Sequence, residues 1–578
     1  MQHCLKLLLT LALLIAAPAH ARDTADEAPP LIDYRERFLP TVARQGMVAG
    51  AERLAVEVGS QILQRGGNAV DAAVATGFAL AVTYPRAGNL AGGGFMLIHL
   101  AGEQRQVFID YREMAPALAG RELFLNGNGE VDQQRAYFSH QSAGVPGTVA
   151  GLLHALERYG SMSREQVLAP AIALAAQGFP VSFALNYEIA ARGEQLQQNP
   201  EARRLFFRPD GSAWAVGETW RQPELAHTLR QIAAGGRDGF YRGEVARRIV
   251  AEMEAGGGLI SAQDLAAYRV LEREPVRGRF RDFEVVSAPP PSSGGIHIVQ
   301  ILNILEPYDL AAMGHNSAAY LHHLAEAMKL AYADRSEYLG DPDYVAVPVA
   351  ALVDRAYATR QRALIDPHRA TPSSTIAPGA RLQAESHDTT HYTVADSSGN
   401  VVSNTYTLNF SFGSGIAVPG TGMLLNNEMG DFAASPGRPN MFGLVEGERN
   451  IIEGGKRPLS SMSPTLVLRH GRPLLATGSP GGSTIITTVA QTLLNVMVFD
   501  MNVASAGISP RIHHQWLPDT LLVEQGVSPD TIRLLEKMGH QVDISDRTIG
   551  RTQSIELRDG YLFGATDTRR PGGWVAGF

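Results

Sequence analysis

Thr389-Thr-His-Tyr-Thr-Val-Ala-Asp-Ser-Ser-Gly-Asn-Val-Val-Ser-Asn-Thr-Tyr-Thr-Leu408 is the stretch on which the fold turns. Two runs rich in Thr, Val and Tyr, types that suit a pleated surface, flank the turn-forming residues Asp396 to Asn400, so the spacing predicts a β-hairpin. With the turn centred near Ser398-Gly399, position i faces roughly position 797 − i, which sets Thr389 opposite the 407–409 stretch. The turn alone thus brings Thr389, Thr407 and Asn409 together.

N-terminal to this hairpin, helical patterns dominate. Leu54, Ala55, Val58 and Ile62 recur at helical spacing, Gly66-Gly67 supplies a stop, and Asn68 supplies a cap for a second helix over residues 69–82. Gly92-Gly93-Gly94 opens Phe95 to Ile98, read as a buried strand, and the Pro-, Ser- and Gly-rich 287–295 stretch reads as a loop. A further helix is predicted over 318–338. Residues 370–385 are polar and without period, which predicts an exposed linker. No internal repeat of domain-building length is present.

Composition narrows the function. The 578 residues are 45% hydrophobic and 19% charged, with 59 Gly and 33 Pro, as in a loop-rich globular enzyme. A net charge of −8 leaves no basic field to hold nucleic acid. Residues 1–21 read as a signal peptide: a short n-region to Lys6, an apolar run from Leu7 to Ala17 too short to span a bilayer, and Ala19-His20-Ala21 before the cut. The single cysteine, Cys4, precedes that run, so neither a lipid anchor nor a disulfide framework is expected, and the reading is a soluble, exported, periplasmic protein.

No phosphate-binding loop, Gly-x-Ser-x-Gly elbow or His-Glu-x-x-His helix occurs. His322, His323 and Glu326 fall on a predicted helix without a third ligand nearby and read as packing residues; His513-His514 reads the same way. The remaining chemistry suits a small zwitterion. Arg112 offers a planar fork for a carboxylate, Ser460 and Ser461 add hydroxyl donors, and Glu428 and Asp431 can accept from an ammonium. Ser479-Pro-Gly-Gly-Ser presents successive backbone N–H groups, as an oxyanion hole requires.

Together these motifs resemble the γ-glutamyltranspeptidase family of the N-terminal nucleophile hydrolase superfamily. The resemblance runs from Met47-Val-Ala-Gly through Gly67-Asn-Ala-Val-Asp-Ala-Ala, Asp110-Tyr-Arg-Glu-Met-Ala-Pro, Pro146-Gly-Thr-Val-Ala-Gly, Thr389-Thr-His-Tyr, Asn426-Asn-Glu-Met and Lys456-Arg-Pro-Leu-Ser-Ser-Met-Ser-Pro to Gly478-Ser-Pro-Gly-Gly. It implies an α/β fold, a four-layer αββα sandwich, and a precursor that cuts itself between Asp388 and Thr389 into a large subunit (22–388) and a small one (389–578). It further implies that Thr389 is the nucleophile, with Thr407 holding its hydroxyl in line. Arg112, Ser460 and Ser461 would bind the α-carboxylate of a γ-glutamyl group, Asn409, Glu428 and Asp431 its α-ammonium, and the N–H groups of Gly481 and Gly482 the oxyanion. Glutathione and related γ-glutamyl compounds are the implied donors, water or amino acids and dipeptides the acceptors, and no metal or cofactor is required.

The 436–443 segment resembles the family's lid loop, with Phe442 where many lidded members carry Tyr, so a hydroxyl contact from lid to pocket is lost. A cephalosporin or glutaryl acylase is the near rival, and the lid and the ammonium-binding acids argue against it. A non-catalytic periplasmic binding protein is the rival from another class; the intact Thr389, Thr407 and Gly481-Gly482 argue against that.

Overall fold

In the computed structural model, the strand Thr390–Asp396 runs antiparallel to Val401–Thr407, as the turn chemistry predicts. Thr390 pairs with Tyr406, one residue short of the expected register, because the turn centres on Ser398. Asp396 closes it: its backbone N–H donates to Asn400 O (3.1 Å), and its carboxylate accepts from the N–H groups of Ser398 (2.9 Å) and Asn400 (3.0 Å). Gly399, at φ +85°, takes the left-handed position such a three-residue turn requires. Thr389, one residue beyond the strand, therefore comes level with Thr407.

Residues 38–376, 389–438 and 446–578 are described; the signal-peptide reading, the 377–388 stretch and Phe442 lie outside them. The chain divides into two units, residues 1–39 and 40–578, and the second carries every strand and helix named below.

The hairpin sits at the centre of a seven-stranded antiparallel sheet, ordered Trp574–Gly577, Gly46–Gly50, Thr390–Asp396, Val401–Thr407, Gly93–Leu100, Arg105–Tyr111, Leu271–Arg273. Side chains alternate between two burial environments, as the period of a strand dictates. Val394, Val402, Met96 and Ile98 pack with the helices Arg53–Gln64, Ala69–Thr83 and Thr148–Tyr159. Ala395, Val401, Phe95, Leu97 and Phe108 join the opposite core, shared with a second seven-stranded sheet, ordered Thr41–Ala43, Tyr561–Thr566, Gln553–Arg558, Arg472–Thr477, Thr465–Arg469, Phe283–Ser287, Val276–Phe280. The helices Gly294–Leu305, Ala318–Tyr338 and Thr484–Met497 complete this core. The result is the αββα sandwich.

Where the sheets meet, polar side chains are satisfied across the gap: Thr393 Oγ1 donates to Gln553 O (2.9 Å) and Ser403 Oγ to Thr477 O (3.0 Å). His391 lies buried between them with Nδ1 2.8 Å from Thr405 Oγ1. Its ring leaves no room for a side chain at Gly478, where a Cβ would come within 2.3 Å.

Local signals set several element ends. Asn68 caps Ala69–Thr83 in a reciprocal capping box with Asp71, and the predicted helix over 318–338 forms with those bounds. The described part of the 370–385 stretch is exposed or half-buried, as read, except at one residue. Ser373 is buried, donating its N–H and hydroxyl to the Asp519 carboxylate (2.8 Å each), and its carbonyl accepts from Trp516 Nε1 (3.0 Å). A polar stretch is held here by partners more than 140 residues away, which no local pattern reveals. Among the described residues no helix is long and apolar enough to cross a membrane.

Candidate active site

The open end of the hairpin forms one wall of a pocket. Thr389 Oγ1 lies 3.5 Å from Thr407 Oγ1, which accepts the Asn409 N–H (2.8 Å). The Thr407 carbonyl, in turn, accepts from Asn89 Nδ2 (2.9 Å), and Gly92 approaches it so closely that a Cβ there would lie 1.9 Å from the oxygen. Only glycine fits. Asn409 adopts φ +73°, a left-handed conformation that asparagine tolerates, and its Nδ2 donates to Asn427 O (3.0 Å). That bond ties the strand end to the turn bearing Glu428 and Asp431.

Opposite stands the 479–483 loop. Gly481 (φ +141°) and Gly482 (φ +54°) hold backbone conformations that side-chain-bearing residues rarely adopt, immediately before the 14-residue helix Thr484–Met497. Their peptide groups therefore lie at the positive end of a helix dipole, a place suited to developing negative charge.

The third wall is charged and buried. Arg112, directly after the strand Arg105–Tyr111, sends one guanidinium nitrogen to the Glu428 carboxylate and another to Asp431 Oδ2 (2.6 Å). It also donates to the carbonyls of Pro458 and Leu459 (3.2 Å each), and Glu113 Oε2 lies 3.7 Å away. Burial works against the Arg112 charge, but Glu428, Asp431 and Glu113 outweigh it and hold its pKa above the ordinary arginine value. Burial pushes Glu428 well above the usual carboxylate range in spite of Arg112, and Glu113, for the same reason, up to about 7. When the three acids are ionised, both Glu113 oxygens, Glu428 Oε2 and Asp431 Oδ1 find no donor among the described residues; a proton on Glu113 or Glu428 is shared between Glu428 and its acidic neighbours.

Arg112, Thr389, Thr407, Asn409, Glu428, Asp431, Ser460, Ser461 and Gly482 line this one pocket, with Gly481 next in the chain. Sequence reasoning missed a second charged pair: Arg335 and Glu446 also line it, joined at 2.9 Å, with Arg335 reaching Ser293 Oγ (3.1 Å) and Ser461 Oγ (3.5 Å). Burial raises Glu446 to about 7, against the pull of Arg335. Arg335 comes from the last turns of Ala318–Tyr338, where nothing local distinguishes it from an ordinary helix residue. Glu113 had a signal, its place beside Arg112.

The gamma-glutamyltranspeptidase family model matches residues 55–577. This chain belongs to that family. It is 50% identical over 572 residues to the glutathione hydrolase proenzyme of Escherichia coli (strain K12), covering 98% of each chain. It is also 39% identical to the acylase ACY 1 proenzyme of Pseudomonas sp. (strain SE83), over 95% of this chain and 96% of that one. The crystal structure of cephalosporin acylase from Bacillus halodurans superposes with a TM-score of 0.83 at 29% identity, covering 96% of this chain and 99% of that one. The transpeptidase and acylase branches thus share the two-sheet architecture, and pocket chemistry must separate them.

Proposed function

We propose that this gamma-glutamyltranspeptidase family member is a periplasmic, self-processing γ-glutamyl transferase and hydrolase. The observation that carries this reading is the Arg112–Glu428–Asp431 group beside Thr389. A γ-glutamyl donor presents both an α-carboxylate, which matches the arginine fork and the hydroxyls of Ser460 and Ser461, and an α-ammonium, which matches the open oxygens of Glu428 and Asp431 and the Asn409 amide oxygen. The acids engage Arg112 now and share it with the incoming zwitterion.

Cleavage between Asp388 and Thr389 yields the 22–388 and 389–578 pieces and frees the Thr389 α-amine, whose pKa of about 8 suits it to take the hydroxyl proton. Thr389 Oγ1 then attacks the donor's γ-carbonyl carbon. The N–H groups of Gly481 and Gly482 hold the oxyanion, the C–N bond breaks, and the amine leaves with the proton. Water or the amine of an acceptor amino acid or dipeptide opens the γ-glutamyl-Thr ester. Glutathione is the donor of choice, and the lid reading of Phe442 belongs to the same proposal.

The test has two parts. On a denaturing gel the purified protein runs as two pieces and Thr389→Ala as one; a variant still split at that bond removes Thr389 from processing. The mature protein hydrolyses a γ-glutamyl anilide, and faster with Gly-Gly present if transfer competes with hydrolysis. An uncut, inactive wild type would support the binding-protein reading instead.

A further inference from the structure

His322 and Glu326 stand one turn apart on the helix Ala318–Tyr338, and the fold delivers His540 to the same spot. One ring nitrogen of each histidine and one Glu326 oxygen lie within 4.8 Å of one another, and all three residues are buried. His322 Nε2 donates to the Asp366 carbonyl (2.7 Å), so Nδ1 carries the ring's lone pair and faces His540 Nε2 at 2.8 Å. A backbone carbonyl that fixes the tautomer in this way is the usual support of a metal-binding histidine. Glu326 Oε1 is held by the Lys329 ammonium (2.9 Å), and His540 Nδ1, the ring nitrogen not facing His322, has no hydrogen-bond partner among the described residues and is open to the proton that metal binding displaces from Nε2. Two imidazoles and one carboxylate suit a borderline dication such as zinc.

We propose that His322, Glu326 and His540 form a binding site for zinc or a similar transition-metal dication, with its fourth position left to water. Lys329 governs occupancy. Its ammonium lies 2.9 Å from Glu326 Oε1 and donates to Thr371 O (2.8 Å), while Asp519 Oδ1 waits 3.8 Å away. Asp519 also faces His514 Nε2 at 3.3 Å. As the metal takes the Glu326 oxygen, Lys329 turns toward Asp519. The His322–His540 hydrogen bond gives way to two nitrogen–metal bonds, and the proton of His540 Nε2 moves to Nδ1 or to solvent, with no change of oxidation state. The ligands come from both sides of residue 389, so under the proposed processing the metal would tie the large piece to the small one. Binding draws nothing from the catalytic reading.

Metal-stripped full-length protein titrated with zinc chloride in a calorimeter tests the site. Wild type takes up one equivalent, Lys329→Met binds at least about tenfold more tightly because the competing charge is gone, and His540→Ala and Glu326→Gln bind far more weakly. In thermal melts zinc raises the midpoint of wild type and Lys329→Met but not of His540→Ala. Absence of uptake by both wild type and Lys329→Met overturns the proposal, as does uptake that survives His540→Ala and Glu326→Gln together. The uncut Thr389→Ala protein binds as wild type does, so failure of the processing reading would leave this result unaffected.

Discussion

Two clusters of buried charge flank the end of the strand Arg105–Tyr111, and they are finished differently. Around Asp110 every oxygen is used: Oδ1 accepts from Arg112 N (2.9 Å) and Arg457 Nη1 (3.0 Å), Oδ2 from Arg273 Nε (2.7 Å). Arg457 then donates to the carbonyls of Arg112 (2.8 Å) and Arg269 (2.6 Å), and its own N–H reaches Asp341 (2.8 Å). Two residues further along, Arg112 meets Glu113, Glu428 and Asp431, and when these acids are ionised four of their oxygens find no donor among the described residues. A satisfied network holds the fold, whereas an unsatisfied one leaves buried acceptors without partners, which under the proposed function is where the α-ammonium of the donor binds. On that proposal the strand end separates structure from function within two residues.

Breaking the closed cluster should have the largest effect on folding. Asp110→Ala leaves the buried Arg457 without its carboxylate and Arg273 with Asp343 alone, and should cost about 3–5 kcal/mol of stability in urea denaturation. Asp431→Ala should cost less, about 1–3 kcal/mol, since Arg112 keeps Glu428 and the carbonyls of Pro458 and Leu459. The reverse order would erase the contrast between the clusters.

Arg112→Lys tests the open cluster from its cationic side. Charge persists but the two-pronged contact is lost, so KM for a γ-glutamyl donor should rise about 10- to 100-fold, the worth of one charge-assisted hydrogen bond, with kcat changing less. Unchanged KM would place Arg112 outside donor recognition.

A smaller effect separates the clusters by pH. Burial raises Glu113 from 4.5 to about 7 against the opposing pull of Arg112. The folded protein thus holds this proton more tightly than the unfolded chain, and the group's contribution to stability is full below pH 4.5 and lost as pH rises through 7. Glu113→Gln cannot titrate, so its unfolding free energy should fall less than that of wild type between about pH 5 and pH 7.5. Glu446, raised in the same direction, keeps part of the slope. An unchanged slope would mean that Glu113 does not hold a proton in the folded state.

Much of the molecule is legible where the physics is local. The Asp396–Asn400 turn, the Asn68 cap and the Ala318–Tyr338 helix follow from residues close in sequence, and the hairpin brings Thr389 to Thr407 without help from elsewhere. The register differs by one from the expected pairing because Gly399 makes a three-residue turn. Arg335 and Glu446 are invisible to local reasoning: they are 111 residues apart, and only tertiary packing joins them. His540 escapes for the same reason, 218 residues from His322. Roles for Arg112, Glu428 and Asp431 are carried by motif resemblance; their mutual ion pairs and open oxygens are visible only in the folded chain.

The central claim is that the open acids beside Thr389 hold an ammonium. It is tested most directly by kcat/KM for a γ-glutamyl donor against the matching glutaryl donor, which lacks only the α-amine, in wild type and Asp431→Ala. The account predicts a preference for γ-glutamyl of several powers of ten in wild type, because a glutaryl group leaves buried acceptors unpaired, and a large loss of that preference in the variant. Equal values for the two donors in wild type, or a preference untouched by Asp431→Ala, would contradict it.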